Sequence, residues 1–269
     1  MTDNKKTIEP TIVSVEEVGQ AATEQEASPD YAALIQELTL PKGWSVPLAD
    51  VVAQNQVRLD AEHYDPAVIE NNERLEKLGF NLVPLTDYAD VHLPSMFTRI
   101  WAQDARYGVP YLNATDLMSY FALGVPAQTR FLSHASQVRI DNLIIRQGMI
   151  LITCSGTIGR VFDVPEALDG WAGTHDIVRI IPRNPEIRGF LRAYLTTNLA
   201  QIQILSHTHG GQIDHVTDAQ VGSCLVPAIP EEAAKRISDI ADRADAMRAQ
   251  GLELMESATN ELHRALSDV

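Results

Sequence analysis

GMILITCSGTIGRV, residues Gly148–Val161, is the stretch whose pattern decides the fold. Its first half, Met149–Thr153, is a short apolar run and predicts a buried strand. The strand runs into a tight turn, Ser155-Gly156-Thr157-Ile158-Gly159, which releases Arg160 at its exit. Two glycines let the backbone bend sharply and approach a ligand closely, while Ser155 and Thr157 offer hydroxyls and exposed N–H groups. Taken alone, the segment also fits an ordinary hairpin turn.

On either side the texture is the same from Leu82 to Val226: short apolar runs punctuated by Gly, Pro, Asn and Asp, such as YLNATDL, RVFDV and HDIVRIIP. Ile177–Ile181 predicts a second buried strand, and Phe190–Leu205 a helix between strand-rich parts. Upstream, Tyr64, Val68, Leu75 and Leu78 space as one helix over Asp60–Leu78, with Pro66 in its first turn and Gly79 as its stop. After Pro227 and Pro230 the chain is helical to its end. Ile237, Ile240, Ala244, Met247, Leu254 and Ala258 follow a 3-4 spacing with Gly251 on the same seam, and Leu252, Met255, Leu262 and Leu266 form a second row. The fold class is therefore α+β: a mixed domain over residues 43–229, followed by a long helix over 230–269. Residues 1–42, acidic and nearly without aromatics apart from Tyr31, read as a flexible or partner-ordered leader, with a short amphipathic turn at Tyr31–Leu40.

A net charge of −15 sits awkwardly with a phosphate-rich partner, which needs clustered cations. The imbalance is uneven. Residues 1–42 hold 3 basic and 8 acidic side chains, 43–229 hold 13 and 19, and 230–269 hold 5 and 9. In the middle segment every basic residue but Lys77 is Arg, the side chain suited to forked contact with phosphate or guanine. Such a domain is expected to bind DNA weakly alone and to need a more basic partner around the duplex. No run approaches the roughly 20 apolar residues of a bilayer crossing, and the first residues lack a secretory apolar core, so a soluble, cytoplasmic protein is expected. Cys154 and Cys224 show no paired spacing and read as small buried residues.

GVPYLNATDL (Gly108–Leu117), the Gly148–Val161 strand-turn, GTHDIVRIIP (Gly173–Pro182) and the run from His207 to Ile237 that leads into the terminal helix form an ordered series. In order and spacing this series resembles the target-recognition domain of type I restriction-modification specificity subunits, and RLDAEHYDP (Arg58–Pro66) resembles the start of such a domain. The resemblance covers about Gly43–Val269. Met149 and Ala234 stand where the family commonly has an acidic residue and Gln. A full subunit of this family has two recognition domains and two spacer helices, so the resemblance implies a half-subunit that pairs with a copy of itself or with a second half. It also implies a non-catalytic chain that reads one half of a bipartite double-stranded DNA target. Its helix is expected to dock a DNA methyltransferase subunit, through Ile237, Ile240, Ala244, Met247, Leu254, Met255 and Leu262. S-adenosylmethionine would sit on that partner and no cofactor on this chain. A translocating nuclease subunit joins such complexes where they restrict.

Residue type and loop position pick out Arg99, Arg106, Asn113, Thr115, Arg130, Ser155, Thr157, Arg160, His175, His209 and Gln212 as candidate DNA contacts. Two other chemistries compete for these residues. His207, His209 and His215 around Gly210-Gly211 suggest zinc, but no Cys or carboxylate completes a ligand spacing, and no metal is expected. Cys154 or Ser155 with His175 and Asp176 suggests a hydrolase, but adjacent side chains on a strand face opposite ways, which would prevent a relay. No phosphate-binding loop or methyltransferase signature is present. The rival of another class is a decoy or assembly protein that keeps the fold without reading DNA.

Overall fold

The computed structural model describes residues 43–52, 59, 61–124, 129–136, 139–208 and 214–267. The chain divides after Ser45, and every helix and strand among the described residues lies in the unit Val46–Val269. The acidic leader and the amphipathic turn at Tyr31–Leu40 lie outside the described residues.

A short helix, α1 (Leu48–Val52), is followed by a single 3-10 turn, Ala61–Tyr64, and then by α2 (Pro66–Lys77). The one helix expected over Asp60–Leu78 is thus shorter. Asp65 is its cap, its carboxylate accepting from the Ala67 amide at 2.8 Å, and Pro66 supplies the fixed φ of the first helical position. Leu78 and the left-handed Gly79 end it as expected.

The strands are β1 (Leu82–Pro84), β2 (Ala89–His92), β3 (Trp101–Ala102), β4 (Gly108–Leu112), β5 (Arg130–Ser133), β6 (Ile150–Thr153), β7 (Val161–Asp163), β8 (Ala172–Gly173), β9 (Ile177–Pro182) and β10 (Leu225–Pro227). They form an antiparallel sheet in the order β2-β9-β6-β7, a sheet β3-β5-β4-β8 whose last pair is parallel, and a two-stranded clasp, β1 with β10. The clasp joins the start of the body to its end, with Leu82 opposite Pro227.

The apolar runs of β6 and β9 are continuous because both faces are covered. Ile150, Ile152, Val178 and Ile180 pack on one side among Leu85, Phe190, Leu191 and Leu195. Leu151 and Ile177 point to the other side, among Leu112, Leu117, Ile145 and Leu168. Period-two alternation therefore distributes one apolar run between two cores. Each fully buried side chain of this kind contributes about 1.5–3 kcal/mol.

The remaining helices are α3 (Ala114–Leu123), α4 (Arg188–Leu195), α5 (Asn198–Leu205), α6 (Asp218–Gly222) and α7 (Glu231–Ser267). The single helix expected over Phe190–Leu205 is two. The chain breaks at Thr196-Thr197, where the Thr197 hydroxyl accepts from the Ala200 amide and starts α5 afresh. The terminal helix is as expected: α7 has 37 residues, about 55 Å at 1.5 Å per residue. Only Ala234 and Ser238 on it are buried, while Ile240, Met247, Leu254, Met255, Leu262 and Leu266 all lie more than half exposed. Among the described residues no helix is long and apolar enough to cross a membrane.

Candidate nucleic-acid interface

Three strand ends converge at the seam between the two four-stranded sheets. β4 runs out into Asn113, β6 into Cys154-Ser155, and β8 into Thr174-His175-Asp176. Backbone hydrogen bonds lace them together: the Thr174 amide donates to Leu112 O (2.9 Å), Cys154 to Asp176 O (3.0 Å) and Val216 to Cys154 O (3.0 Å). Ser155 bridges to His215, which brings the segment at residues 214–217 beside the turn.

The Ser155–Arg160 turn is fixed from below by one buried side chain. The Thr153 hydroxyl donates to Thr157 O (2.5 Å) and accepts from the Arg160 amide (3.0 Å), while the Thr153 carbonyl accepts from the Gly159 amide (2.9 Å). Gly156 and Gly159 have φ of +69° and +87°, a region L side chains enter only with strain. Gly159 is also a close approach, because a Cβ there would fall 2.4 Å from Gln201 Oε1. Gln201, on α5, donates to the Gly159 and Leu195 carbonyls and so docks the turn on the helix layer. What the turn presents outward is Gly156, Thr157 and Arg160, all exposed. The Arg160 guanidinium has no ion-pair partner among the described residues.

Beside the turn lies a second polar group. The Arg99 Nε donates to the Tyr111 hydroxyl (2.8 Å), and its Nη2 donates to the Thr174 hydroxyl and meets His175 Nδ1 (both 3.2 Å), with Asp176 at 3.8 Å. Burial first, then Arg99 and Arg179, hold the His175 ring below its usual range against the pull of Asp176. A neutral ring accepts at Nδ1 from Arg99. It then carries its proton on Nε2, which faces Asp176 Oδ1 at 3.5 Å.

That contact corrects one expectation. His175 and Asp176 lie in the turn before β9, so strand alternation does not separate them. Asp176 accepts from the Thr174 hydroxyl at 2.9 Å, a hydroxyl that also accepts from Arg99. The Cys154 thiol donates toward the His175 backbone oxygen at 4.0 Å, and burial pushes it up to about 12.

The other candidates fall in separate places. Asn113 caps α3 in a reciprocal box with Asp116, whose carboxylate also holds Arg130 at 3.0 Å. Arg130 lies over Trp101, 5.2 Å from the ring centre. Thr115 is exposed in the first turn of α3. Arg106 is exposed, paired with Asp104 at 2.7 Å and set over Tyr107. Arg99, Arg106 and Arg130 thus each have a carboxylate already, whereas Arg160 has none among the described residues. His209 and Gln212 lie outside the described residues, and so does the middle of the proposed histidine triad. Among the described residues no group of three or more His, Cys, Asp or Glu is arranged to hold a metal.

The residue that sequence reasoning missed is Arg179. Fully buried on β9, it donates to the carbonyls of Thr174 (2.9 Å), Gly173 (2.8 Å), Leu143 (3.1 Å) and Ile177. Burial lowers it to about 10, so it remains a cation at neutral pH. It staples the segment at Leu143 that precedes β6, the end of β8 and the Thr174–Asp176 turn to the central sheet.

Residues 71–261, more than half of the chain, match the family model described as the type I restriction modification DNA specificity domain. The chain belongs to that family, whose role is DNA specificity and not catalysis. Similar folds occur in the type I restriction-modification S subunit of M. genitalium (15% identity, TM-score 0.44, covering 70% of this chain and 44% of that one). They occur also in the HsdS subunit of Thermoanaerobacter tengcongensis (19%, 0.46, 94% and 53%). The type IIG restriction endonuclease BpuSI is a further match (9%, 0.47, 70% and 29%). The chain spans about half the length of the solved S subunits it matches. No curated protein matches it.

Proposed function

We propose that this chain reads one half of a bipartite DNA target and hands that selection to a methyltransferase subunit docked on its terminal helix. The observation that carries the proposal, given the family, is the convergence of the β4, β6 and β8 ends around a braced turn whose exposed tip holds a guanidinium with no ion-pair partner among the described residues. Arg160 and Thr157 approach the duplex, Arg160 as a forked donor to phosphate or guanine, a contact worth about 1–3 kcal/mol of discrimination when bidentate. Arg99, His175 and Ser155 form the floor beside them. Arg106, Thr115 and Arg130 are proposed as further contacts elsewhere on the surface, and His209 and Gln212 as contacts on residue type alone. Chemistry stays on the partner, which carries S-adenosylmethionine, and this chain binds neither cofactor nor metal.

The helix row Ile240, Met247, Leu254, Met255 and Leu262 leaves apolar side chains in water, which a partner helix would cover. The partner is the methyltransferase together with a second copy of this chain or a different half-subunit. A nuclease subunit joins if the complex restricts.

Arg160→Ala should lower target affinity of the reconstituted complex about tenfold or more, the equivalent of 1.4 kcal/mol, with assembly intact. Ile240→Asp with Met247→Asp should abolish assembly. Unchanged affinity removes the turn from the interface, and retained assembly removes the helix as the docking element.

The acidic balance favours a second reading, a decoy that keeps the fold without binding DNA. A gel shift with and without the methyltransferase separates the two, since a decoy leaves DNA unshifted in both.

A further inference from the structure

α7 is held by the body only along its first part. Ala234 and Ser238 are buried and Leu252 lies against Gly124, while every described residue from Glu253 to Ser267 is exposed. The overhang of some 15 residues is about 22 Å long. A tilt of about 10° at its base would move the tip about 4 Å, roughly the rise of one DNA base pair.

We propose that Arg188 and Arg192 on α4 are positioning residues that fix the angle at which α7 leaves the body. Each guanidinium forks between the body and the helix. Arg188 pairs with Asp163 of β7 at 3.1 Å and with Asp242 of α7. Arg192 pairs with the other oxygen of Asp163 at 2.8 Å and with Asp245 of α7. One nearly buried carboxylate therefore anchors two arms that grip the helix at two points about a turn apart.

The pivot lies just below. α4 meets α7 at Gly189, where a Cβ would fall 2.7 Å from Ser238 Cα, and the Phe190 amide donates to the Ser238 hydroxyl at 3.0 Å. Ala234 and Ile237 seat the base of the helix on the core beside this point. The paired arms hold the helix beyond that seat, and Arg248, donating to Phe121 O at 3.3 Å over the Phe121 ring, adds a further hold along it.

The alternative is that these pairs only add stability. Partly buried ion pairs contribute little net free energy, because desolvation offsets the attraction. Their geometry is what a substitution changes most. Lysine keeps the charge but offers a single nitrogen on a flexible stem, not the rigid pair of spaced nitrogens through which each guanidinium holds one carboxylate of the body and one of the helix.

The consequence, that the clamp sets how far apart two recognition bodies stand, rests on the proposed DNA-reading function. The clamp itself does not, and its test needs neither DNA nor partner. Spin labels are placed through Glu166→Cys and Ser257→Cys in the full chain, the native thiols being buried and unlabelled. Electron–electron dipolar spectroscopy then reads the distance distribution between body and helix. The parent should give one narrow distribution, and the Arg188→Lys, Arg192→Lys variant one at least about twice as wide with its melting transition retained. An unchanged width in the folded double variant overturns the proposal, as does a parent distribution already broad. Should the double variant fail to fold, Arg192→Lys alone decides in the same way.

Discussion

Arg179→Met is the sharpest perturbation of the scaffold beneath the interface. Methionine nearly matches the length of the arginine stem but donates nothing, so the carbonyls of Gly173, Thr174 and Ile177 lose a guanidinium donor in the core. That of Leu143 keeps the Gly173 amide at 2.8 Å. Each carbonyl left unsatisfied costs about 1–3 kcal/mol. Against this, the variant no longer buries a cation, a relief of several kcal/mol. Among the described residues no carboxylate pairs with Arg179, so its removal strands dipoles and not a countercharge, and the loss falls below that of a broken buried ion pair. A net destabilisation of about 3 kcal/mol follows. For a chain of this size that is a fall of roughly 6–12 °C in Tm, read by calorimetry or circular dichroism. A variant that melts at or above the parent would show that the burial cost of the cation outweighs its four acceptors, and would refute the assignment of Arg179 as the staple of the Thr174–Asp176 turn.

Two further outcomes follow from the same geometry. Thr153→Val keeps shape and β-branching but removes the hydroxyl that serves Thr157 O and the Arg160 amide. Amide hydrogen exchange at Arg160 should therefore rise at least about tenfold while β6 stays protected, and equal protection would mean that Thr153 does not hold the turn. Burial pushes both thiols up to about 12, so neither Cys154 nor Cys224 should react with a thiol reagent at pH 8 in the native state. The unfolded chain loses those protons from about pH 8.5, whereas the folded one keeps them. Stability should accordingly be intact below that pH and fall as pH rises from it toward 12. Rapid native labelling, or an alkaline stability that stays flat, would contradict the burial.

The strand-turn at Gly148–Val161 and the terminal helix were legible because each is a local pattern: an apolar run cut by glycines, and a 3-4 spacing sustained over many turns. The body was read too coarsely where a short cap competes with periodicity, as at Thr196-Thr197, which splits a helix that apolar spacing alone joins. The site was legible as residue types and not as a place. Asn113, Ser155 and His175 lie tens of residues apart in sequence and meet only because β4 pairs with β8 and β6 with β9. Nor does anything in HDIVRIIP mark Arg179 as buried, since its partners are backbone carbonyls that sequence does not display. The same blindness applies to Arg99, Arg106 and Arg130, chosen by residue type and loop position but each found beside a carboxylate.

The most direct test of the central claim is a genome-wide map of methylated adenines in cells that carry this chain with the proposed methyltransferase partner, compared with cells lacking only this chain. Methylation at a two-part motif that appears with the chain and vanishes without it is the predicted result. A motif that persists in the absence of the chain would contradict its role as the reader of DNA sequence.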